Sequence, residues 1–348
     1  MKDKRFWIPL YTIVFAETLA WIWSLVLFSD QVSIDHPLFK IKEMSSLQYI
    51  VFLLIMSYYT GLNAIAGHEL LHRREQYNRI VGCFAYTKFL YSHFLNEHVD
   101  GHHRNVGTPL DPATSKQGET VYYCILKSYF GSHITTWNRE VRRIKRKQGE
   151  NSSFILHVLL NVMTFYFLVH AAILGLIYYF LGWQSLKHQL WYSAAGVFYL
   201  ELVNYVEHYG LERKKDEDGV YETVNFMHSW NSLSSPFHIR LQRHSDHHAK
   251  AYRPYQILKK IDEAPYLPFE YLHCLVLVLF PPLWFYLVDP RVNALKAAEK
   301  GIKSEVRFNL VTPKTAKDKW LEFVGYSFLA LFQGVCTYFT FIQPVYLF

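Results

Sequence analysis

Residues 47–72 read LQYIVFLLIMSYYTGLNAIAGHELLH: an uncharged stretch, 47–67, that runs directly into His68-Glu-Leu-Leu-His72. A bilayer core is crossed by about 20 apolar residues in a helix, so this segment is long enough to span. In lipid every backbone polar group must be bonded internally, and nothing in the chain alternates with the period of a barrel strand. Three further segments share the pattern. Residues 6–28 carry only Glu17, residues 152–183 carry no charge, and residues 189–206 carry only Glu201. With 51% hydrophobic, 18% aromatic and 19% charged residues in a chain of 348, the expected fold is all-α, a multi-pass transmembrane helical bundle.

The basic residues set the expected topology. Lys2, Lys4 and Arg5 precede the first segment and put the N-terminus on the cytoplasmic side. That segment is too long and too aromatic for a signal peptide, and no small-residue cleavage site follows it, so it reads as retained. Counting inward and outward gives a single membrane domain over 1–348. Two spans occupy 1–67, a cytoplasmic or interfacial region 68–151, a helical hairpin 152–211, and a cytoplasmic cap with one interfacial segment 212–320. An extra span falls in 321–348, anchored by Lys314, Lys317 and Lys319. Residues 80–95 are too short and too polar-ended to cross; they dip into the membrane or lie along it. Residues 266–288, with Pro281-Pro282 near their end and Arg291, Lys296, Lys300, Lys303 and Arg307 beyond, read as re-entrant or interfacial. Cys83, Cys124, Cys274 and Cys336 are scattered without a C-x-x-C pair, which argues against a disulfide framework, a zinc ribbon or a fused iron–sulfur carrier and reads as packed thiols.

Nine of the eighteen histidines fall into four clusters, each at or near the end of an apolar segment. They are His68-Glu-Leu-Leu-His72, Glu97-His98-Val-Asp-Gly-His102-His103, Asn204-Tyr-Val-Glu-His208-Tyr-Gly210 and Gln242-Arg-His244-Ser-Asp-His247-His248. On this topology all four reach the cytoplasmic face. Residues four apart share a helix face, so His68 and His72 aim at one point, as do His98 with His102 and His244 with His248, and His247 joins His244. His102 and His103 diverge by about 100° on a helix and can serve two different ions. Neutral imidazoles so arranged hold iron, copper or zinc. Nine are too many for one ion, which takes about six ligands or fewer, so two ions are expected.

Plainer readings compete at each cluster. His68-Glu-Leu-Leu-His72 matches the zinc-protease pattern with Glu69 as base, but that leaves three clusters idle. His208 alone is ordinarily a packed histidine, and only its place at the end of a span makes it a ligand candidate. His93, His133, His157, His170 and His273 carry no assigned role. Glu69, Glu97, Asp100, Glu207 and Asp246 are expected to accept the second N–H of metal-bound imidazoles; for Asp100 and Asp246 a solvated charge at a helix end is the alternative. A non-enzymatic membrane metal-binding protein, a transporter or sensor, is a further reading, although transporters put ionisable groups at mid-depth rather than at span ends.

With these residues in view the chain resembles the alkane 1-monooxygenase (alkane hydroxylase) family, within the membrane fatty acid desaturase and hydroxylase superfamily. The resemblance rests on HELLH at 68–72, EHVDGHH at 97–103, NYVEHYGL at 204–211 and LQRHSDHHA at 241–249. Gly107-Thr-Pro-Leu-Asp-Pro-Ala-Thr114, Pro281-Pro-Leu-Trp284 and Asp289-Pro-Arg291 extend it over about residues 45–295. Three residues, not two, between His98 and His102 and the Asn204–Gly210 motif favour the alkane branch.

The resemblance implies a non-haem di-iron site held by His68, His72, His98, His102, His103, His208, His244, His247 and His248. It implies supporting contacts from Glu69, Glu97, Asp111, Asn204, Glu207 and Asp246. Two ferrous ions would activate O₂ and hydroxylate a terminal methyl group of an alkane or alkyl chain to a primary alcohol. Electrons would come from a separate rubredoxin-type donor with its reductase, and the alkyl substrate from the membrane; no nucleic-acid partner is expected. The membrane would be a bacterial inner membrane, or one of endoplasmic-reticulum type in a eukaryote. A fatty-acyl or aromatic-methyl hydroxylase or a desaturase of the same superfamily is the alternative chemistry. The chain departs from the family in the short stretch before His68 and in Leu110, where an acidic residue is common. The basic run Arg139, Arg142, Arg143, Lys145, Arg146 and Lys147 suits either an acidic carrier or anionic lipid.

Overall fold

Ser45 starts the helix on which the fold turns. Its hydroxyl accepts the Gln48 N–H while the Gln48 side chain accepts the Ser45 N–H, a capping box that satisfies two orphan donors. The computed structural model describes residues 4–36, 44–232 and 238–309, with single positions at 320, 323 and 327. The span expected over 321–348 and its anchoring lysines Lys314, Lys317 and Lys319 therefore lie outside the described residues, positions 323 and 327 apart.

Among the described residues the regular structure is helical, with only two isolated bridges. The main helices are α1 (Ile8–Leu27), α2 (Ser46–Leu71), α3 (Gln76–Thr87), α4 (Phe94–Glu97), α5 (His103–Asn105) and α6 (Val121–Gln148). They continue as α7 (Phe154–Leu160), α8 (Val162–Leu181), α9 (Trp183–His208), α10 (His244–Ala249), α11 (Tyr271–Leu277) and α12 (Pro281–Ala298). A π-turn, His98–His102, joins α4 to α5. Three of the four apolar segments form helices long and apolar enough to cross a membrane: Lys4–Leu27, Ser46–Leu71 and Val162–Leu181. The fourth segment is inside α9 and falls short by composition, because α9 carries Ser185, His188, Gln189, Ser193, Glu201 and Asn204, all buried. Several of their polar groups are bonded within the protein: Ser185 to the Leu25 carbonyl, Gln189 to the Lys88 carbonyl and Ser193, and Asn204 to Glu201.

The described residues fall into two compact units, those within 1–94 and 136–199, and those within 95–135 and 200–309. In the first, α3 runs back along the last turns of α2. A Cβ on Gly82 would come within 2.8 Å of the Gly67 carbonyl, so this approach requires glycine. Tyr86 Oη donates to the Ala64 carbonyl at 2.9 Å and Asn63 to the Ala85 carbonyl at 3.0 Å. Just past α3, Lys88 is 1% exposed and pairs with Glu17 in the middle of α1. It also donates to Thr18 (2.8 Å) and Asn63 (3.2 Å), and Tyr192 donates to Glu17. A buried ion pair is tolerated when its remaining hydrogen bonds are filled in this way.

The core of the second unit is aromatic. Trp230 and Trp284 are fully buried with Tyr205 and Tyr209. Tyr209 Oη donates to Asp289 at 2.7 Å and accepts from the Gly118 N–H at 2.8 Å. Trp230 Nε1 donates to the Tyr209 carbonyl at 2.8 Å, and the Trp230 N–H to the Glu207 carbonyl at 2.9 Å. These bonds tie the loop after α9 to its end, where His208 sits. Residues 266–288 fold as α11 and the start of α12, and Arg291 of α12 donates to the Tyr266 carbonyl at 3.0 Å.

Candidate metal centre

The second unit holds seven of the nine clustered histidines. In an α-helix His98 and His102 would share a point, but the chain widens there into a π-turn. The extra residue per turn aligns positions five apart. His98 Nε2 therefore lies 3.0 Å from His103 Nε2, while the His98 and His102 rings stack nearly parallel at 5.1 Å. His247 Nε2 approaches His103 Nε2 at 3.1 Å, which makes His98, His103 and His247 one convergent group.

His102 turns to a second group with His208 and His248. Its Nε2 is 3.1 Å from His208 Nε2, and the His248 ring lies 5.0 Å from that of His102 and 4.7 Å from that of His208. His244 Nε2 is 3.4 Å from His208 Nε2 and 3.2 Å from Glu207 Oε2, so Glu207, His208 and His244 form a third, adjoining set. The short helix α10 thus does not aim its histidines at one point: His247 goes to one group, His248 to another and His244 to Glu207. In the first unit, His68 and His72 close α2 with their Nε2 atoms 3.3 Å apart.

The outer contacts fix which nitrogen of each ring faces inward. His208 Nδ1 lies 3.2 Å from the His228 carbonyl, which can only accept, so Nδ1 carries the proton and Nε2 presents a lone pair. His102 Nδ1 donates to Asp111 Oδ2 at 2.9 Å, and Asp111 is itself held by Thr114 Oγ1 (2.6 Å) and the Ala113 N–H (3.1 Å). With the His102 and His208 Nε2 atoms 3.1 Å apart, a proton or a metal cation must lie between them. His248 makes the stronger case. It is buried, and neither of its ring nitrogens has a hydrogen-bond partner, an arrangement that costs about 1–3 kcal/mol per polar group and that a metal bond relieves. The donor set, imidazoles with an occasional carboxylate, suits iron, copper or zinc.

Electrostatics follow from burial and pairing. Burial pushes the His102 imidazole down, but the Asp111 charge and hydrogen bond outweigh it and hold His102 above its ordinary range. Burial pushes Asp111 up, and His102 with Thr114 outweighs it, so the carboxyl sits below its ordinary range. Burial, with the nearby His102 charge, takes His208 down to about 3. Burial, with the charges of His103, His244 and His208 beside it, takes His248 well below the usual imidazole range, and burial alone lifts Glu207 well above the usual carboxylate range. His208 and His248, which resist protonation, keep their lone pairs for a metal.

The other acidic candidates are placed differently. Glu69 pairs with Arg73, one turn on. Asp246 is bonded outside the histidine groups: it accepts Arg253 Nη1 on both oxygens, at 2.7 and 2.9 Å, and the Lys259 N–H at 2.8 Å, which ties residues 253–259 back onto α10. Asn204 donates to Glu201 at 3.3 Å. Glu97 is buried and Asp100 exposed. The His228 carbonyl, which orients His208, carried no signal in the sequence, because any residue supplies a carbonyl.

Residues 45–278 match the family model described as fatty acid desaturase. The chain belongs to the fatty acid desaturase family. Within it, the chain is 39% identical over 252 residues to alkane 1-monooxygenase 2 of Pseudomonas aeruginosa, covering 71% of this chain and 66% of that protein. It is 36% identical over 243 residues to alkane 1-monooxygenase 1 of the same organism, covering 69% and 62%. A more distant family relative is the xylene/toluene monooxygenase hydroxylase component XylM of Pseudomonas putida, 28% identical over 257 residues, with 72% and 66% covered. The matched region is therefore 62% to 66% of these relatives' length.

Proposed function

We propose that this family member is a membrane di-iron monooxygenase that hydroxylates a terminal methyl group of an alkane or alkyl chain to a primary alcohol. The observation that carries the reading is the buried triad His102, His208 and His248, with its inward nitrogens beside the separate group His98, His103 and His247, in a chain similar to alkane 1-monooxygenases. The proposed ligands of two iron ions are His68, His72, His98, His102, His103, His208, His244, His247 and His248. Bound ferrous iron would supply the activation of O₂.

The chain's own residues have three tasks. Asp111 and the His228 carbonyl hold the outer nitrogens of His102 and His208, so that both rings keep one tautomer and one orientation. Glu207 gives His244 a carboxylate neighbour and can act as a further ligand. The buried rings exclude bulk water from the reacting methyl group, which approaches from lipid end first. The histidine groups lie at the cytoplasmic ends of the spans in this reading, and an external rubredoxin-type donor with its reductase delivers the electrons.

The test uses purified full-length protein loaded with ferrous iron, a donor system and O₂, offered a series of alkanes, fatty acids and methylated aromatics. Two irons per chain by elemental analysis and a primary alcohol from an alkane support the proposal. Alcohol formed only from a methyl-substituted arene or a fatty acid moves the chain to the alternative hydroxylase reading. Iron bound without any oxygenated product from any of the three classes refutes a hydroxylase.

A further inference from the structure

The basic end of α6 has no part in the metal chemistry. Between positions 139 and 147 lie Arg139, Arg142, Arg143, Lys145, Arg146 and Lys147 against one acid, Glu140. That acid is engaged by Arg143, at 2.9 Å from Nε and 2.6 Å from Nη2. Arg142, Arg146 and Lys147 are exposed. The exposed line of α6 changes character along the helix at a spacing of four: Leu126, Phe130 and Ile134, then Asn138, Arg142 and Arg146. Six residues past Gln148 the character reverses. Helix α7 has no buried residue, and Phe154, Ile155 and Leu159 are 75%, 68% and 69% exposed. After Asn161 the chain enters α8, a candidate span whose apolar surface faces outward. Strong positive charge thus sits between exposed apolar turns at the mouth of a membrane helix.

We propose that the end of α6 together with α7 is a binding surface for anionic phospholipid. Arg142, Arg146 and Lys147 contact headgroup phosphates, and Phe154, Ile155 and Leu159 enter the acyl region beside them. Basic residues next to a membrane surface attract anionic lipid, and amphipathic turns add buried apolar area to that attraction. An acidic carrier protein would meet the same charges, but it would leave the apolar face of α7 uncovered. Lipid satisfies both halves of the surface.

The experiment is native mass spectrometry of the detergent-purified full chain titrated with phosphatidylglycerol or phosphatidylcholine at matched concentrations. The wild-type chain is expected to bind phosphatidylglycerol at least about fivefold more tightly, roughly the effect of one basic residue at a membrane surface. The preference should shrink between about 0.05 and about 0.5 M salt. The triple variant R142E/R146E/K147E should lose the preference; R142Q/R146Q/K147Q, which introduces no repulsion, should reduce it and serves if the reversal does not fold. A wild-type chain without preference overturns the proposal, as does a preference that survives in the glutamine variant. Retained lipid preference with lost capture of an acidic electron carrier would assign the surface to a protein instead.

Discussion

Replacing Asp111 with Asn tests whether the outer hydrogen bonds set the metal site. In the native chain Asp111 Oδ2 accepts from both His102 Nδ1 and Thr114 Oγ1, and Oδ1 accepts the Ala113 N–H. An amide keeps one acceptor. If its oxygen stays on the Ala113 N–H, its NH₂ faces the His102 Nδ1–H, donor against donor. The ring then relieves the clash by moving its proton to Nε2, the nitrogen aimed at His208, and loses the lone pair that would bind metal. Loss of an outer partner of a ligating histidine typically costs 10- to 100-fold in affinity, about 1.4–2.8 kcal/mol. The upper end applies here, because both residues are at most 3% exposed and no water competes for the vacated bond. The assay is iron retained by the purified chain across a graded chelator series, with helical content measured in parallel. Asp111→Asn should release iron at about 100-fold weaker chelation while its helix signal stays native. Unchanged iron retention in a folded Asp111→Asn chain would refute the role given to this contact.

Chelation of the iron-loaded chain should lower its thermal stability, by about 2.7 kcal/mol if the free ion was held at a hundred times its dissociation constant; calorimetry that detects no shift contradicts a bound metal at buried sites. Glu17→Gln leaves Lys88 charged, buried and without its carboxylate, and should cost about 3–5 kcal/mol, whereas Glu17→Gln combined with Lys88→Met should cost less than Glu17→Gln alone. Denaturant unfolding in mild detergent reads this difference, and a double variant weaker than either single one speaks against an ion pair. Gly82→Ala should cost about 1–3 kcal/mol by forcing a methyl against the Gly67 carbonyl and Leu71. Its control, Gly175→Ala in α8, where a Cβ meets nothing within 4 Å, should be neutral or stabilise by up to about 1 kcal/mol; equal losses at the two sites would show that the close approach of α2 and α3 is not what matters.

The uncharged blocks made α1, α2 and α8 legible, because lipid demands length and apolarity and both can be read off a string of residues. Helix α9 was legible as a helix but poorly as a span, since its Gln189, Ser193 and Glu201 are satisfied by partners that no local pattern reveals. The metal site was legible as a count of histidines in four stretches, and the separation of His102 from His103 followed from helix geometry. Their grouping was not. A π-turn has the same residue types as an α-turn, so nothing at His98–His102 announced that His98 would meet His103. The acids divide in the same way. Asp111 meets a histidine because Thr114 and the Ala113 N–H aim it, while Asp246, within one residue of His247, is drawn off by Arg253 from seven positions downstream.

The triad His102, His208 and His248 draws its members from positions up to 146 apart in the chain. A ribosome must therefore release residue 248 before the last of these ligands exists, by which time the three candidate spans among the described residues, the last ending at Leu181, have already been made. Metal loading is then a late event in biosynthesis. Until then the earlier imidazoles of a newly made chain wait without the partner that completes the triad.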